Sequence, residues 1–237
     1  MPPWHADPAH GKFSNDRSLT EEQKKTLLAW VAGGAPEGDL KDLPPAPKFP
    51  QGPWTIGTPD VVLSMPKPFL VKAEGTLPYQ WFSVPTHFEE DRWVRAIEVK
   101  PGNRAVVHHI LIFVAEGEAD TRLEAIRQRG EAGGGQLTGY VPGDEASVFP
   151  NGMGKKIPKG ASLLFQVHYT PIGKPVEDQS SVAMIFAKEP PSQEVRTVGI
   201  MGRPLEIPAG ASDHEVRAQV TAPAEVTVLS LWPHMHL

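Results

Sequence analysis

The chain contains no cysteine in its 237 residues. This absence excludes disulfides, thiolate zinc or iron–sulfur sites, cysteine nucleophiles and covalent haem attachment within these residues. Basic clusters are also lacking: 23 Lys and Arg stand against 28 Asp and Glu, a net charge of −5, so we expect no nucleic-acid binding. No apolar run reaches the about 18 residues of a membrane span. Residues 1–30 lack the basic-then-apolar order of a signal peptide.

Glycine and proline, in contrast, are abundant, with 22 and 26 residues respectively. Hydrophobic residues make up 40% of the chain, which is enough for a packed core. Many short β-rich runs separated by Gly and Pro turns favour a sandwich or jelly roll. We therefore predict an all-β fold, in which a jelly-roll or β-sandwich domain precedes an incomplete second jelly roll, with a short N-terminal helix.

The predicted strands form two series. The first series comprises Val61–Met65, Tyr79–Val84, Trp93–Val99, Val106–Val114, Ser162–Tyr169 and Val182–Ala187. The second series comprises Val195–Met201, Glu215–Val220 and Val226–Trp232. Residues 190–237 are too few to close a sandwich of their own, and the chain ends on them without a polar tail. We therefore interpret the chain as truncated.

One helix is expected near the N-terminus. Ser18 and Glu21 have the spacing of a capping box, in which both side chains satisfy free backbone N–H groups. Leu27 and Val31 follow at helical spacing, and Gly33 supplies a stop. The proline-rich stretch that comes next predicts an extended linker.

Five of the nine histidines lie in or beside strongly apolar segments: His108, His109, His168, His234 and His236. An imidazole buried without a partner costs free energy, so each of these rings requires one. His234 and His236 are two residues apart, and on a strand both would face the same side and could meet one ion. Imidazole suits zinc, copper, iron and nickel.

His108 and His109 are adjacent, so a regular strand would direct them to opposite faces. They can share one ion only if the backbone bulges there or if the rings use different nitrogens. Otherwise one is a core histidine bonded to a carbonyl and the other a surface histidine. The third histidine on a comparable apolar strand, His168, strengthens the metal hypothesis.

The other four histidines, His5, His10, His87 and His214, lie in polar surroundings, and we expect them to be solvated or capping residues. No nucleophile elbow, zinc-protease motif or phosphate-binding loop competes with the histidine set.

In order and approximate spacing, three segments resemble the copper type II ascorbate-dependent monooxygenases. The segments are Val-Val-His108-His109-Ile-Leu, Phe-Gln-Val-His168-Tyr and Pro-His234-Met-His236. This family includes peptidylglycine α-hydroxylating monooxygenase and dopamine β-monooxygenase. The resemblance implies two jelly-roll domains, each holding one copper, that face each other across a cleft.

The resemblance also implies the ligands. His108, His109 and His168 match the ligands of the electron-transfer copper, whereas His234 and His236 match a pair that holds the copper where O₂ binds. The third ligand of that second copper would be a methionine beyond the last residue. The implied reaction hydroxylates a C–H bond of a small substrate with O₂ and an external electron donor, such as ascorbate or an attached cytochrome.

Two positions near these motifs refine what the resemblance implies. Gln166 matches a polar position of the family motif, and we treat it as a residue that supports the ligands. The peptide-hydroxylating members have an arginine before the paired histidines, where this chain has Trp232-Pro233. That difference leaves the substrate open.

The N-terminal segment resembles the end of a bacterial c-type cytochrome domain. Met1-Pro2-Pro3-Trp4, Leu19–Trp30 and the Gly-Ala-Pro-Glu-Gly run at 34–38 carry this resemblance. It implies that Met1 is an axial haem ligand and that haem c is attached upstream. The alternative is that Met1 is only the initiator methionine.

These two resemblances set the predicted domains, and the resemblance to the copper monooxygenases covers roughly residues 60–237. Residues 1–43 are the cytochrome remnant and 44–60 the linker; 61–189 form the first copper domain, and 190–237 begin the second. The whole would be a bacterial periplasmic or secreted oxidoreductase. Two other hypotheses stay open: a non-catalytic copper- or zinc-binding or electron-transfer module, and a structural sandwich for adhesion whose buried histidines bind no metal.

Overall fold

The computed structural model of the chain describes residues 9, 11–14, 16, 18–47, 52–116, 135–143, 146–200 and 206–232. It divides into two units, Met1–Gly52 and Pro53–Leu237. The helical elements in these ranges are α1 (Glu21–Ala32) and a short 3₁₀ turn (Leu40–Asp42). The strands are β1 (Val61–Ser64), β2 (Phe69–Val71), β3 (Gln80–Pro85), β4 (Arg92–Lys100), β5 (Val107–Ala115), β6 (Gln136–Tyr140), β7 (Ser147–Val148), β8 (Met153–Ile157), β9 (Ser162–Tyr169), β10 (Val176–Asp178), β11 (Ser181–Phe186) and β12 (Gln193–Glu194).

Helix α1 begins after Thr20, which forms a capping box with Gln23. The Gln23 backbone N–H donates to the Thr20 hydroxyl at 3.2 Å, and the Thr20 N–H donates to the Gln23 side chain at 2.8 Å. The predicted box at Ser18 and Glu21 is therefore wrong by two residues, because the later pair satisfies the same donors. Gly33 ends the helix as predicted. Within the described ranges, no helix has the length and apolarity that crossing a bilayer requires.

The second unit is an all-β sandwich, as predicted. A six-stranded sheet has the order β1-β11-β4-β8-β12, with β7 also paired to β4, and a four-stranded sheet has the order β3-β9-β5-β6. Strands β2 and β10 form a separate two-stranded sheet. The pairing is antiparallel except between β12 and β8.

The main core lies between the inner faces of the two larger sheets. Ile110 and Phe165 of the four-stranded sheet cluster there with Val182 and Met184 of β11. The four-stranded sheet is also buried on its outer face, where Leu111 belongs to a second apolar cluster. Burial on both faces explains why β5 reads as an almost unbroken apolar run.

The structure confirms the first strand series to within one residue at each end. The second series is wrong as a set of strands: the described residues 195–200 and 206–232 form neither helix nor strand, and all residues of 206–232 are exposed. A strand forms only where a neighbouring strand pairs with its backbone hydrogen-bonding groups. Alternating apolar residues show that a segment has one apolar face, but they do not show that another element is present to pack against it. A second jelly roll in 190–237 stays a prediction.

Lys155 of β8 connects the two larger sheets. Its ammonium group donates to the backbone carbonyls of Gln136 and Leu137 in β6, and to the hydroxyl of Thr197. The side chain is half-buried, and this burial lowers the pKa of Lys155 to about 8. The charged form is therefore disfavoured in the folded state relative to the unfolded chain.

Lys155 should make the stability of the protein depend on alkaline pH. Its pKa is about 8 when folded and 10.5 when unfolded, so between these values the unfolded chain binds more protons and stability rises with pH. Relative to Lys155→Met, the wild type should gain roughly 2 kcal/mol in free energy of unfolding between pH 7.5 and 10. Urea unfolding of both proteins in matched buffers measures this, and a constant difference across the range would contradict it.

Candidate metal centre

A β-bulge brings the three histidines of the four-stranded sheet together. Val107 of β5 pairs with Tyr169 of β9, and the next pair joins His109 to His168. Two residues of β5 therefore match one step along β9, which makes His108 the additional residue of a bulge. The condition predicted for adjacent histidines to share an ion is confirmed.

The three imidazoles lie close to one another. The Nδ1 atoms of His108 and His109 are 3.1 Å apart. The ring centroids lie 5.4 Å apart for His108 and His109, 4.9 Å for His108 and His168, and 5.0 Å for His109 and His168. One candidate ligand nitrogen from each ring lies within 4.8 Å of the others.

This spacing is close to the one that a single transition-metal ion requires. A nitrogen ligand binds such an ion at about 2.0–2.1 Å, so two ligands of one ion can be at most about 4 Å apart. Side-chain rotations that move the nitrogens by about an ångström would bring all three into range. The group consists of imidazoles alone, a donor set that suits copper, zinc, iron or nickel better than magnesium or calcium.

The three candidate ligands differ in burial. His109 is fully buried, His168 is half-buried and His108 is exposed. Two rings are therefore held by the sheet, whereas the bulge presents the third to solvent. This arrangement gives an ion a way in from solvent.

Tyr79 forms one side of the cluster. Its ring lies edge-on to His109, with centroids 5.7 Å apart, and to His168, with centroids 5.1 Å apart. Sequence reasoning missed this residue, because only the pairing of Gln80 with Val167 shows that the start of β3 reaches the histidine end of β9. An aromatic residue at the start of a strand was the one available signal.

Gln166 lies on the same face of β9 as His168, two residues before it. The side chain is 2% exposed. Its Oε1 atom accepts no hydrogen bond from the described residues. The expectation that this residue supports the ligands stays a prediction.

The structure does not describe the other predicted site residues. Met1, His234 and His236 lie outside the described residues, so the second copper site and the axial haem ligand stay predictions. His214 is exposed in the segment 206–232, and His87 has a left-handed backbone with φ 56°. Neither belongs to the metal-capable group of the described residues.

Comparisons of this chain with protein-family models, with curated proteins and with solved structures find no match. The fold and the histidine geometry therefore define the class directly: an all-β sandwich with a three-histidine group that could hold a metal ion.

Proposed function

We propose that His108, His109 and His168 bind copper, and that this site transfers electrons in a copper type II monooxygenase. The observation that supports the proposal most is the convergence of the three imidazoles at the β5 bulge. The order of the histidine motifs, which resembles that family, supports copper over other metals. The whole protein would hydroxylate a C–H bond of a small substrate with O₂ and an external electron donor.

The ligand residues of this chain suit such a role. Bound copper would supply one-electron redox chemistry at the site. The sheet holds His109 and His168 at fixed positions across the β5–β9 pair. Neutral imidazoles can serve both Cu(I) and Cu(II). The exposed position of His108 leaves the centre accessible to a soluble reductant such as ascorbate.

The proposal extends to the parts of the chain that the structure does not describe. His234 and His236 would hold the second copper, where O₂ reacts. An attached c-type cytochrome with Met1 as axial ligand would deliver electrons. Haem c and histidine-bound copper both suit an exported bacterial oxidoreductase, in the periplasm or secreted.

A non-catalytic metal-binding or electron-transfer module is the second candidate. The three-imidazole donor set supports this candidate as much as it supports the copper monooxygenase, because zinc binds three histidines in many proteins. This candidate requires tight metal binding without oxygen chemistry. An adhesion sandwich without metal is the remaining alternative.

Redox cycling of the bound metal tests the proposal. With one equivalent of Cu(II), the 237-residue chain should give a type II copper EPR signal that ascorbate removes and air restores. The whole protein should also consume O₂ when ascorbate is present. A redox-silent site that selects zinc over copper would support the non-catalytic module, and copper cycling without O₂ uptake by the whole protein would support electron transfer alone.

A further inference from the structure

Asp178, at the end of β10, is a buried acid at the centre of a polar network. It is 1% exposed, although the core around it is apolar. Its Oδ2 atom accepts hydrogen bonds from the Tyr169 hydroxyl and the Ser180 hydroxyl, each at 2.8 Å. Its Oδ1 atom accepts the backbone N–H of Asn103 at 2.8 Å. Three donors to one buried carboxylate make a rigid junction.

The hydrogen bond from Asn103 to Asp178 stabilises the turn that leads into β5. Besides donating to Asp178, Asn103 accepts backbone N–H groups from Val106 and Val107 at its carbonyl, and the N–H of Ala105 at its side chain. Val107 immediately precedes the bulged His108. Asp178 therefore holds the turn from which the first two histidines emerge.

The same turn is packed tightly against the residue that follows Asp178. A Cβ atom added to Gly102 would lie 2.7 Å from the backbone N and O of Gln179. Such a close approach leaves no room for a side chain, so the turn rests directly on the neighbouring backbone. The position of Asn103 is fixed by packing as well as by its hydrogen bonds.

The hydrogen bond from Tyr169 to Asp178 stabilises the end of β9. Tyr169 follows His168 directly, is 2% exposed, and stacks on Phe69 with ring centroids 5.2 Å apart. Its hydroxyl reaches Asp178 from the core side of the sheet.

We infer that Asp178 is a positioning residue of the histidine centre, because it ties the turn before His108 to the tyrosine after His168. The bulge requires one particular register between β5 and β9. Asp178 forms hydrogen bonds close to the histidines of both strands, with Asn103 before β5 and with Tyr169 at the end of β9. This inference rests on the metal site of the proposed function, but it does not depend on oxygen chemistry. Partners that orient metal ligands commonly contribute 10–100-fold to metal affinity.

Two variants test the inference with the 237-residue chain and Cu(II) as the probe. Tyr169→Phe removes one hydroxyl and keeps the stacked ring, whereas Asp178→Asn removes the charge and keeps the shape. We expect the copper dissociation constant to rise about tenfold in Tyr169→Phe and up to about 100-fold in Asp178→Asn. The Cu(II) EPR parameters should change as well, because the angles between the ligands change.

Thr86→Val is the matched control. Thr86 donates a buried hydrogen bond to the carbonyl of Ala161 at 2.6 Å, at the end of β3 and β9 opposite His168. Its loss should lower stability by a similar amount and leave copper affinity and the EPR spectrum unchanged. All titrations are made at a temperature where circular dichroism shows each protein to be folded.

The outcomes separate the inference from the proposed function. Wild-type copper affinity and an unchanged spectrum in folded Tyr169→Phe would overturn the positioning role, even if copper cycles with ascorbate. Weaker binding in both network variants, without any oxygen uptake by the whole protein, would keep the positioning role and remove the monooxygenase proposal. If Asp178→Asn does not fold, Tyr169→Phe alone decides.

Discussion

His168→Ala should weaken copper binding by the 237-residue chain more than about 100-fold, since even residues that only orient ligands contribute 10–100-fold. The substitution removes one of three imidazoles whose candidate ligand nitrogens lie within 4.8 Å of one another. The two that remain, His108 and His109, are adjacent on a single strand. With two protein ligands, water occupies most of the coordination sphere. The affinity for the metal therefore falls, and so does the selectivity that the ligand geometry imposes.

The loss can be measured by competition with a chromophoric copper chelator. A hundredfold rise in the dissociation constant corresponds to about 2.7 kcal/mol. The Cu(II) EPR spectrum should change at the same time, because one nitrogen ligand is lost. His234 and His236 form a separate predicted site, so the titration should resolve two classes of binding and lose only the tighter one.

His214→Ala is the matched control, because it removes an exposed histidine that lies outside the metal-capable group. Its copper affinity should equal that of the wild type. If His168→Ala binds copper with unchanged stoichiometry and affinity, the three-histidine centre is wrong. A wild-type chain that contains and binds no metal would instead favour the structural sandwich.

The second large effect is expected on stability. Phe165 is fully buried in the middle of β9, in the core between the two sheets. Phe165→Ala would leave a large cavity that closely packed β-sheets cannot close, and such truncations cost about 3–5 kcal/mol. That is a large share of the about 5–15 kcal/mol by which a typical protein is stable.

Urea unfolding followed by tryptophan fluorescence measures this loss, since the chain contains six tryptophans. Leu70→Ala is the control: Leu70 lies on β2 and is 61% exposed, so its truncation should change the free energy of unfolding by less than about 0.5 kcal/mol. Equal effects of the two substitutions would show that the core is not where the structure places it.

The sandwich could be predicted from the sequence because its strands carry strong local signals. The apolar runs of β5 and β9, bounded by Gly and Pro turns, are strands in the structure, and their ends lie within one residue of the predicted ends. The capping box was placed two residues early because Ser18 and Thr20 both have suitable partners three residues later. Local chemistry alone does not decide between neighbouring caps of the same type.

The sequence by itself determined the kind of candidate metal ligand and the strands that carry it: imidazoles on apolar segments, with no cysteine in the chain to serve instead. Only the tertiary structure decided that His108 and His109 share a side, because a bulge is defined by the register between two strands far apart in the chain. It likewise placed Tyr79 beside His168, and Asp178 beside Tyr169, since pairing between distant strands sets their positions. The chemistry of each side chain follows from its own residue type. The approach of side chains from different strands depends on which strands pair with each other.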